Sequence, residues 1–262
     1  MTIQDISLSL IFVLTTLVVV GAIELGYRVG WAARRRTEDE KEAPVGAIVG
    51  TVLALLAFIL AFTFGTVSDR YDARKALVRD QATAIRTAFD RSDFLPEPQR
   101  DEARDLYLDY IDLVLTAGDV SNFGNLESVL NDLQEIQQQI WDLAVENVRL
   151  GDNSDISALY VESVNEMRTV LANRVAVTAQ ANMPNGQWLA LLVLVLLGMF
   201  AVGYQTANAA SRRTWMMLVL ALSFSIVVVL IAALDAPQRG YLPVSQRPLS
   251  ELQESMIRDA AT

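Results

Sequence analysis

The chain has 262 residues and contains no Cys and no His. Disulfides, thiol nucleophiles, imidazole acid–base chemistry and zinc or haem ligation by these residues are therefore excluded. The net charge is −10, and residues 67–187 account for it with 11 Lys/Arg against 21 Asp/Glu. Such an acidic segment is a poor partner for a phosphate backbone. We therefore predict no nucleic-acid partner, no catalytic residue, no metal and no cofactor, and a protein that is not an enzyme.

The first predicted membrane helix covers residues 6–23, a run of 18 uncharged residues. Positive charges follow this run, at Arg28, residues 34–36 and Lys41, whereas those of a cleaved signal peptide precede its apolar segment. The run is therefore predicted to be a retained anchor. Glu24 lies four residues before Arg28, so the two side chains are expected to form an ion pair. A loop is predicted to begin at residue 34.

A second uncharged run covers residues 43–68 and is 26 residues long. A helix needs only ~20 apolar residues to cross ~30 Å of hydrocarbon. No Gly or Pro lies between Val67 and Arg91, and apolar residues recur at helical spacing through that stretch. We therefore predict one helix that crosses the membrane and continues without a break into a water-exposed domain.

This second membrane helix carries two ridges of different character, about 100° apart on its surface. Small residues at steps of three or four form one ridge, which allows another helix to approach closely in lipid. They are Gly46, Gly50, Ala54, Ala57, Ala61 and Gly65. The bulky ridge consists of Thr51, Leu55, Phe58, Phe62 and Thr66. Its pattern is typical of a narrow pore lining, and equally of a helix that is buried among its neighbours or faces lipid.

The charged central segment is predicted to fold as a helical domain. Residues 93–98 contain two prolines and interrupt the helical period. Three further helices are expected to begin near Gln99, Leu126 and Ile156, and glycines follow the first two. The helix that begins near Leu126 has an apolar stripe with heptad-like spacing. This stripe predicts either an internal core or a surface that binds a partner helix.

Two more uncharged spans follow, at residues 188–204 and 214–234. A compact turn is expected after them, and a short tail helix from Ser250. The sequence thus predicts an all-α membrane protein with four transmembrane helices and a helical domain inserted between the second and third. The predicted segments are 1–66 (two transmembrane helices), 67–187 (the domain), 188–235 (two transmembrane helices) and 236–262 (the tail).

Short motifs along nearly the whole chain resemble those of the bestrophin-like domain family of multi-pass membrane proteins and, more distantly, those of bestrophin channels. One motif directly follows the second membrane helix, where bestrophins carry an Asp-Arg-aromatic run that is one residue longer overall. Another motif follows the fourth membrane helix. The positions concerned are Asp69, Arg70, Tyr71, Asp235, Pro237 and Gly240.

The resemblance to bestrophins implies a ring of subunits, usually five, in which the second membrane helices line a constricted apolar neck. The neck positions in this chain would be Leu55, Phe58 and Phe62. The expected function is an oligomeric ion channel of the cell membrane, whose partners are the lipid bilayer, further copies of the chain and a permeant ion. The alternative is a non-conducting sensor or scaffold that presents the helical domain from a membrane anchor.

Charge and resemblance predict different sides of the membrane for the central domain. The short loops hold Arg28, residues 34–36, Lys41 and residues 212–213, which places both hairpins in the cytoplasm and the domain outside. Bestrophins instead keep this domain and both termini in the cytoplasm. We favour the charge bias here, and we expect the domain to be extracytoplasmic.

Overall fold

A computed structural model describes residues 8–36, 42–118, 126–150, 154–180, 183–209, 215–235 and 242–260. These residues form α-helices and one short 3₁₀ turn, and none of them belongs to a strand. The predicted all-α class is therefore confirmed. The helices are α1 Leu8–Arg36, α2 Glu42–Arg91, α3 Gln99–Gly118, α4 Leu126–Leu150, α5 Ser154–Gln180, α6 Asn185–Asn208, α7 Met216–Asp235 and α8 Arg247–Ala260.

The chain divides into two compact units. The membrane unit consists of Met1–Arg70 and Asn182–Leu242, and the domain unit consists of Tyr71–Ala181 and Pro243–Thr262. Among the residues that the structure describes, four helices, α1, α2, α6 and α7, are long and apolar enough to cross a bilayer. The C-terminal α8 belongs to the domain unit, although it is separated from the other helices of that unit by the last two membrane helices.

The second membrane helix continues past the membrane unit, as its sequence predicts. α2 is one helix of 50 residues, which corresponds to ~75 Å at ~1.5 Å per residue. It passes through Ser68 without interruption. It ends at the predicted break, where Ser92–Phe94 form a 3₁₀ turn and the N–H of Leu95 donates to the carbonyl oxygen of Ser92 at 3.0 Å.

In the membrane unit, glycines allow α1 and α6 to pack with their backbones in contact. A Cβ on Gly30 would lie 2.7 Å from the carbonyl oxygen of Tyr204. A Cβ on Gly26 would overlap the carbonyl oxygen of Phe200, and one on Gly203 would overlap that of Ile23. These three positions accept only glycine, because no other residue lacks the Cβ. No pattern in the sequence predicted that these glycines form a helix crossing.

The C-terminal end of α1 differs from the sequence prediction. A loop was expected from residue 34, but α1 remains helical to Arg36. Arg34 donates through Nη1 to the carbonyl oxygen of Asn208 at 3.2 Å, at the C-terminal end of α6. The guanidinium of Arg35 lies 3.4 Å from the ring centroid of Trp31. Both contacts favour one more helical turn, since the last carbonyls of a helix attract cations.

The predicted ion pair within α1 also forms, with Arg28 Nε 2.7 Å from Glu24 Oε1.

The domain unit buries a core of apolar and aromatic side chains from all of its helices. Tyr107, Tyr110 and Tyr160 are fully buried in it, and the ring of Phe89 packs edge-on against that of Tyr107. The apolar stripe of α4 faces this core: Val129, Leu133, Ile140 and Ala144 are all buried. The stripe is therefore an internal packing surface within this unit.

The tail helix α8 begins three residues earlier than predicted and packs against α3. Its apolar face is buried through Leu249, Leu252 and Met256, each of which stabilises the docked helix by about 1.5–3 kcal/mol. Arg86 of α2 donates through Nη1 to Asp259 Oδ2 at 2.6 Å, and this hydrogen bond raises the pKa of Arg86.

The α1–α6 crossing yields a stability prediction. Gly203→Val places a branched side chain against the α1 backbone, so we expect it to lower the free energy of unfolding of the membrane unit by at least about 2 kcal/mol. Gly21→Val is the matched control, because a Cβ at Gly21 meets no atom within 4 Å. Thermal unfolding of the detergent-solubilised protein measures both variants. Equal melting temperatures for the two would contradict the crossing.

Candidate functional site

The membrane-spanning part of α2 has one face that is buried within the membrane unit. Val49, Leu56, Leu60 and Val67 are each at most 5% exposed, and their spacing of seven, four and seven residues places them on one side of the helix. Leu56 packs where α6 carries Gly198, since a Cβ on that glycine would lie 2.9 Å from the Leu56 side chain. This packing determines which faces of α2 point away from the unit.

The predicted bulky ridge lies on the opposite side of α2. Leu55, Phe58 and Phe62 are 51%, 66% and 69% exposed in the single chain. The hydroxyls of Thr51 and Thr66, at the two ends of the ridge, donate to backbone carbonyls one turn earlier on the same helix, each at 3.0 Å. The ridge is therefore a strip of apolar side chains whose flanking hydroxyls are already bonded within the helix.

The small-residue ridge of α2 also lies largely open. Ala54, Ala57 and Ala61 are exposed, and a Cβ on Gly50 or Gly65 would meet no atom within 4 Å. The six members of the ridge are thus brought together on one face, but they do not all have the same neighbours. A Cβ on Gly46 would lie 3.1 Å from the Nε2 of Gln205 on α6.

Directly after the bulky ridge, the motif residues separate charge around α2. Asp69 is exposed, whereas Arg70 and Tyr71 are half-buried. One turn further on, the Nζ of Lys75 lies 5.6 Å from the centroid of the Tyr71 ring and 3.3 Å from the Oδ1 of Asp72. The motif therefore presents a carboxylate on the exposed side of the helix and turns its arginine inward.

The Asp235 carboxylate of the second motif joins two membrane helices. It is 5% exposed at the end of α7, where Oδ1 accepts a hydrogen bond from the Met183 N–H at 2.9 Å and Oδ2 accepts one from Trp188 Nε1 at 3.1 Å. Since Met183 precedes α6 and Trp188 lies in its first turn, Asp235 fixes where α6 begins. Pro237 and Gly240 lie outside the described residues.

A half-buried arginine in the domain unit was not predicted from the sequence. Arg174 of α5 donates through Nη1 to the Oε1 of Gln81 on α2, and through Nη2 to the Oε1 of Gln246 at 2.7 Å. Burial lowers the pKa of Arg174. Beside it, Gln137 donates to the Tyr110 hydroxyl at 3.1 Å, and burial raises the pKa of that hydroxyl to about 12. The guanidinium therefore bridges α2, α5 and the segment that precedes α8. No local sequence signal marks it, because its partners are 93 and 72 residues away.

Ligand chemistry in the part of the chain described by the structure is sparse. No group of three Asp or Glu side chains is arranged to hold a metal ion there. The distinctive feature of α2 is a pair of neighbouring exposed faces, the bulky ridge and the small-residue ridge. Both lie on a helix that continues past the membrane unit without a break.

Comparisons with known proteins agree with this architecture. A family model, the Bestrophin-like domain, matches residues 14–249. A comparison with curated proteins finds no match. Solved structures of three point mutants of a bacterial bestrophin homologue from Klebsiella pneumoniae are similar, with TM-scores of 0.67, 0.64 and 0.60 at 14%, 15% and 15% identity. The alignments cover 96%, 96% and 97% of this chain and 99%, 98% and 99% of the homologue.

At such low identity the structures establish a common fold, whereas the family model covers most of the sequence itself. The range that the family model matches includes the motifs at Asp69 and Asp235. This chain is a membrane protein that belongs to the Bestrophin-like domain family.

Proposed function

We propose that the protein is a homo-oligomeric ion channel of the cell membrane in which α2 lines the pore and Leu55, Phe58 and Phe62 form an apolar neck. One observation carries this proposal. The face of α2 opposite its packed side exposes these three bulky side chains. The small-residue ridge, against which a neighbouring helix can pack closely, lies beside that face.

The arrangement of the two faces supports an oligomer. Association of helices in lipid depends on close packing, so a ridge of Gly and Ala is better suited to a helix neighbour than to lipid chains. When copies are arranged around an axis, the small ridge of one α2 contacts the next copy, and the bulky ridge beside it then faces the axis. The resemblance to bestrophins implies five copies.

An apolar neck controls the passage of ions through the hydration of the constriction. A constriction lined by Leu and Phe holds water weakly, and an ion that enters it loses hydration without gaining polar ligands. Small rotations of the rings change the radius and hence the wetting of the neck. This mechanism needs no catalytic side chain and no cofactor.

The alternative function, a non-conducting sensor or scaffold, is no longer supported by the observation that suggested it. It required the heptad-like stripe of α4 to remain available for a partner helix, but Leu133, Ile140 and Ala144 are at most 1% exposed in the core of the domain unit. The large apolar side chains that are exposed in the described part of this unit are spread over the 3₁₀ turn, the C-terminal end of α4, α5 and α8: they are Phe94, Val148, Leu150, Leu159, Val175 and Ile257.

The neck yields the first functional prediction. Phe62→Ala removes a ring from the constriction, so we expect the single-channel conductance of the purified protein in planar bilayers to rise by about twofold or more, or its gating to change. Phe64→Ala is the matched control, since Phe64 is the same residue type on the same helix, about 160° away and 37% exposed. An equal effect of both variants would argue against a neck at Phe62.

The small ridge yields a prediction about assembly. Gly65→Val adds a branched side chain where the single chain has open space, so we expect the monomer to fold while the association constant falls by about tenfold or more, equivalent to ~1.4 kcal/mol. Native mass spectrometry from detergent measures the subunit number. Gly21→Val again serves as the control. A wild-type protein that is monomeric under all conditions would overturn the oligomer.

The side of the membrane yields a third prediction. From the charge bias of the short loops we propose that the domain is extracytoplasmic. The chain has no Cys, so single cysteines introduced at positions 39 and 152 report without background. An impermeant maleimide applied to intact cells should label position 152 and spare position 39. The reverse pattern would place the domain in the cytoplasm, as in bestrophins.

A further inference from the structure

We infer that Asp69 makes the pore prefer cations, an inference that rests on the proposed channel and names the class of its permeant ion. Asp69 follows Phe62 by seven residues, which brings it back to within about 20° of the same side of α2 and ~10 Å further along the axis. In a ring of copies, each Asp69 then lies just beyond the neck, on the face that lines the pore.

The carboxylate of Asp69 is available to an ion. Its side chain is exposed, and no ion pair joins it to a cation anywhere in the chain segments that the structure describes. Its neighbours on the same helix face, one turn before and after, are Gly65, Thr66, Asp72 and Ala73. None of these carries a positive charge, so the field of the Asp69 carboxylate at this face is not cancelled by its own helix.

The two guanidiniums nearest to Asp69 in the sequence are turned away from that face. Arg70 is half-buried and Arg74 is 6% exposed, and both lie about 100° or more around the helix from Asp69. Lys75 is held by Asp72 at 3.3 Å. Around this turn the helix thus separates its charges, because the Asp69 carboxylate is exposed and the guanidiniums of Arg70 and Arg74 lie on another side of the helix.

A ring of carboxylates beside a narrow neck selects by sign. Rings of Asp or Glu are the common device of cation pores, because they concentrate cations and repel anions at the entrance. A unit charge at 4 Å contributes about 1 kcal/mol even in bulk water, and several copies act on the same ion. The apolar neck holds no charge of its own, so the nearest carboxylate dominates the choice between cations and anions.

Reversal potentials of the reconstituted full-length protein under a KCl gradient test this inference. The wild type should favour K⁺ over Cl⁻. Asp69→Asn should lower the permeability ratio by at least about threefold, and Asp69→Arg should bring the ratio below one. Asp132→Asn, which removes an exposed carboxylate from α4, should leave the ratio unchanged.

Screening gives a second measurement that needs no variant. Raising KCl from 0.1 M to 1 M shortens the Debye length from ~10 Å to ~3 Å, so the cation preference of the wild type should fall. If the protein conducts but favours anions, or if neither Asp69 variant changes the permeability ratio of K⁺ to Cl⁻, the inference is wrong. The proposed channel is then still supported, because the protein conducts. If the wild type never conducts, both the proposed channel and this inference are wrong.

Discussion

The uninterrupted hydrogen-bonded backbone of α2 is the constraint on which the rest of the molecule depends. Inside lipid each peptide group must be bonded within its own helix, so the span of α2 is rigid by necessity. The same helix then supplies buried residues to the domain unit, among them Ile85 and Phe89. Because no break intervenes at Ser68, α2 contributes to both units as one continuous helix.

Small residues serve two different purposes in this chain. Gly26, Gly30 and Gly203 are used inside the membrane unit, where α1 and α6 approach until a Cβ would overlap a carbonyl oxygen. Gly50 and Gly65 face open space in the single chain. The second set is recognisable in the sequence because it forms a regular ridge on one helix. The first set is not recognisable in the sequence, since a close crossing depends on which helix lies opposite.

Local patterns were enough to predict the helices, the break after Arg91, the pair of Glu24 with Arg28 and the continuity of α2, because each depends on residues within a few turns. Long-range contacts were not predictable. The extra turn of α1 depends on carbonyls of α6, and the role of Asp235 depends on donors 52 and 47 residues away. Arg174 is a similar case, since its neutral glutamine partners carry no charge pattern that a sequence could reveal.

The neck and the charges beside it would have separate tasks in the proposed pore. An apolar constriction opposes ions of either sign, because both lose hydration there. The constriction therefore determines whether the pore conducts. Selection between cations and anions must come from fixed charges close to it. Residues 67–187 carry all of the net charge of the chain, and Asp69 is the acidic residue of this segment that follows Phe62 most closely, ~10 Å further along the axis of α2. The Coulomb energy between two charges falls with distance, so the position of Asp69 on α2 matters more for ion selection than the total charge of residues 67–187.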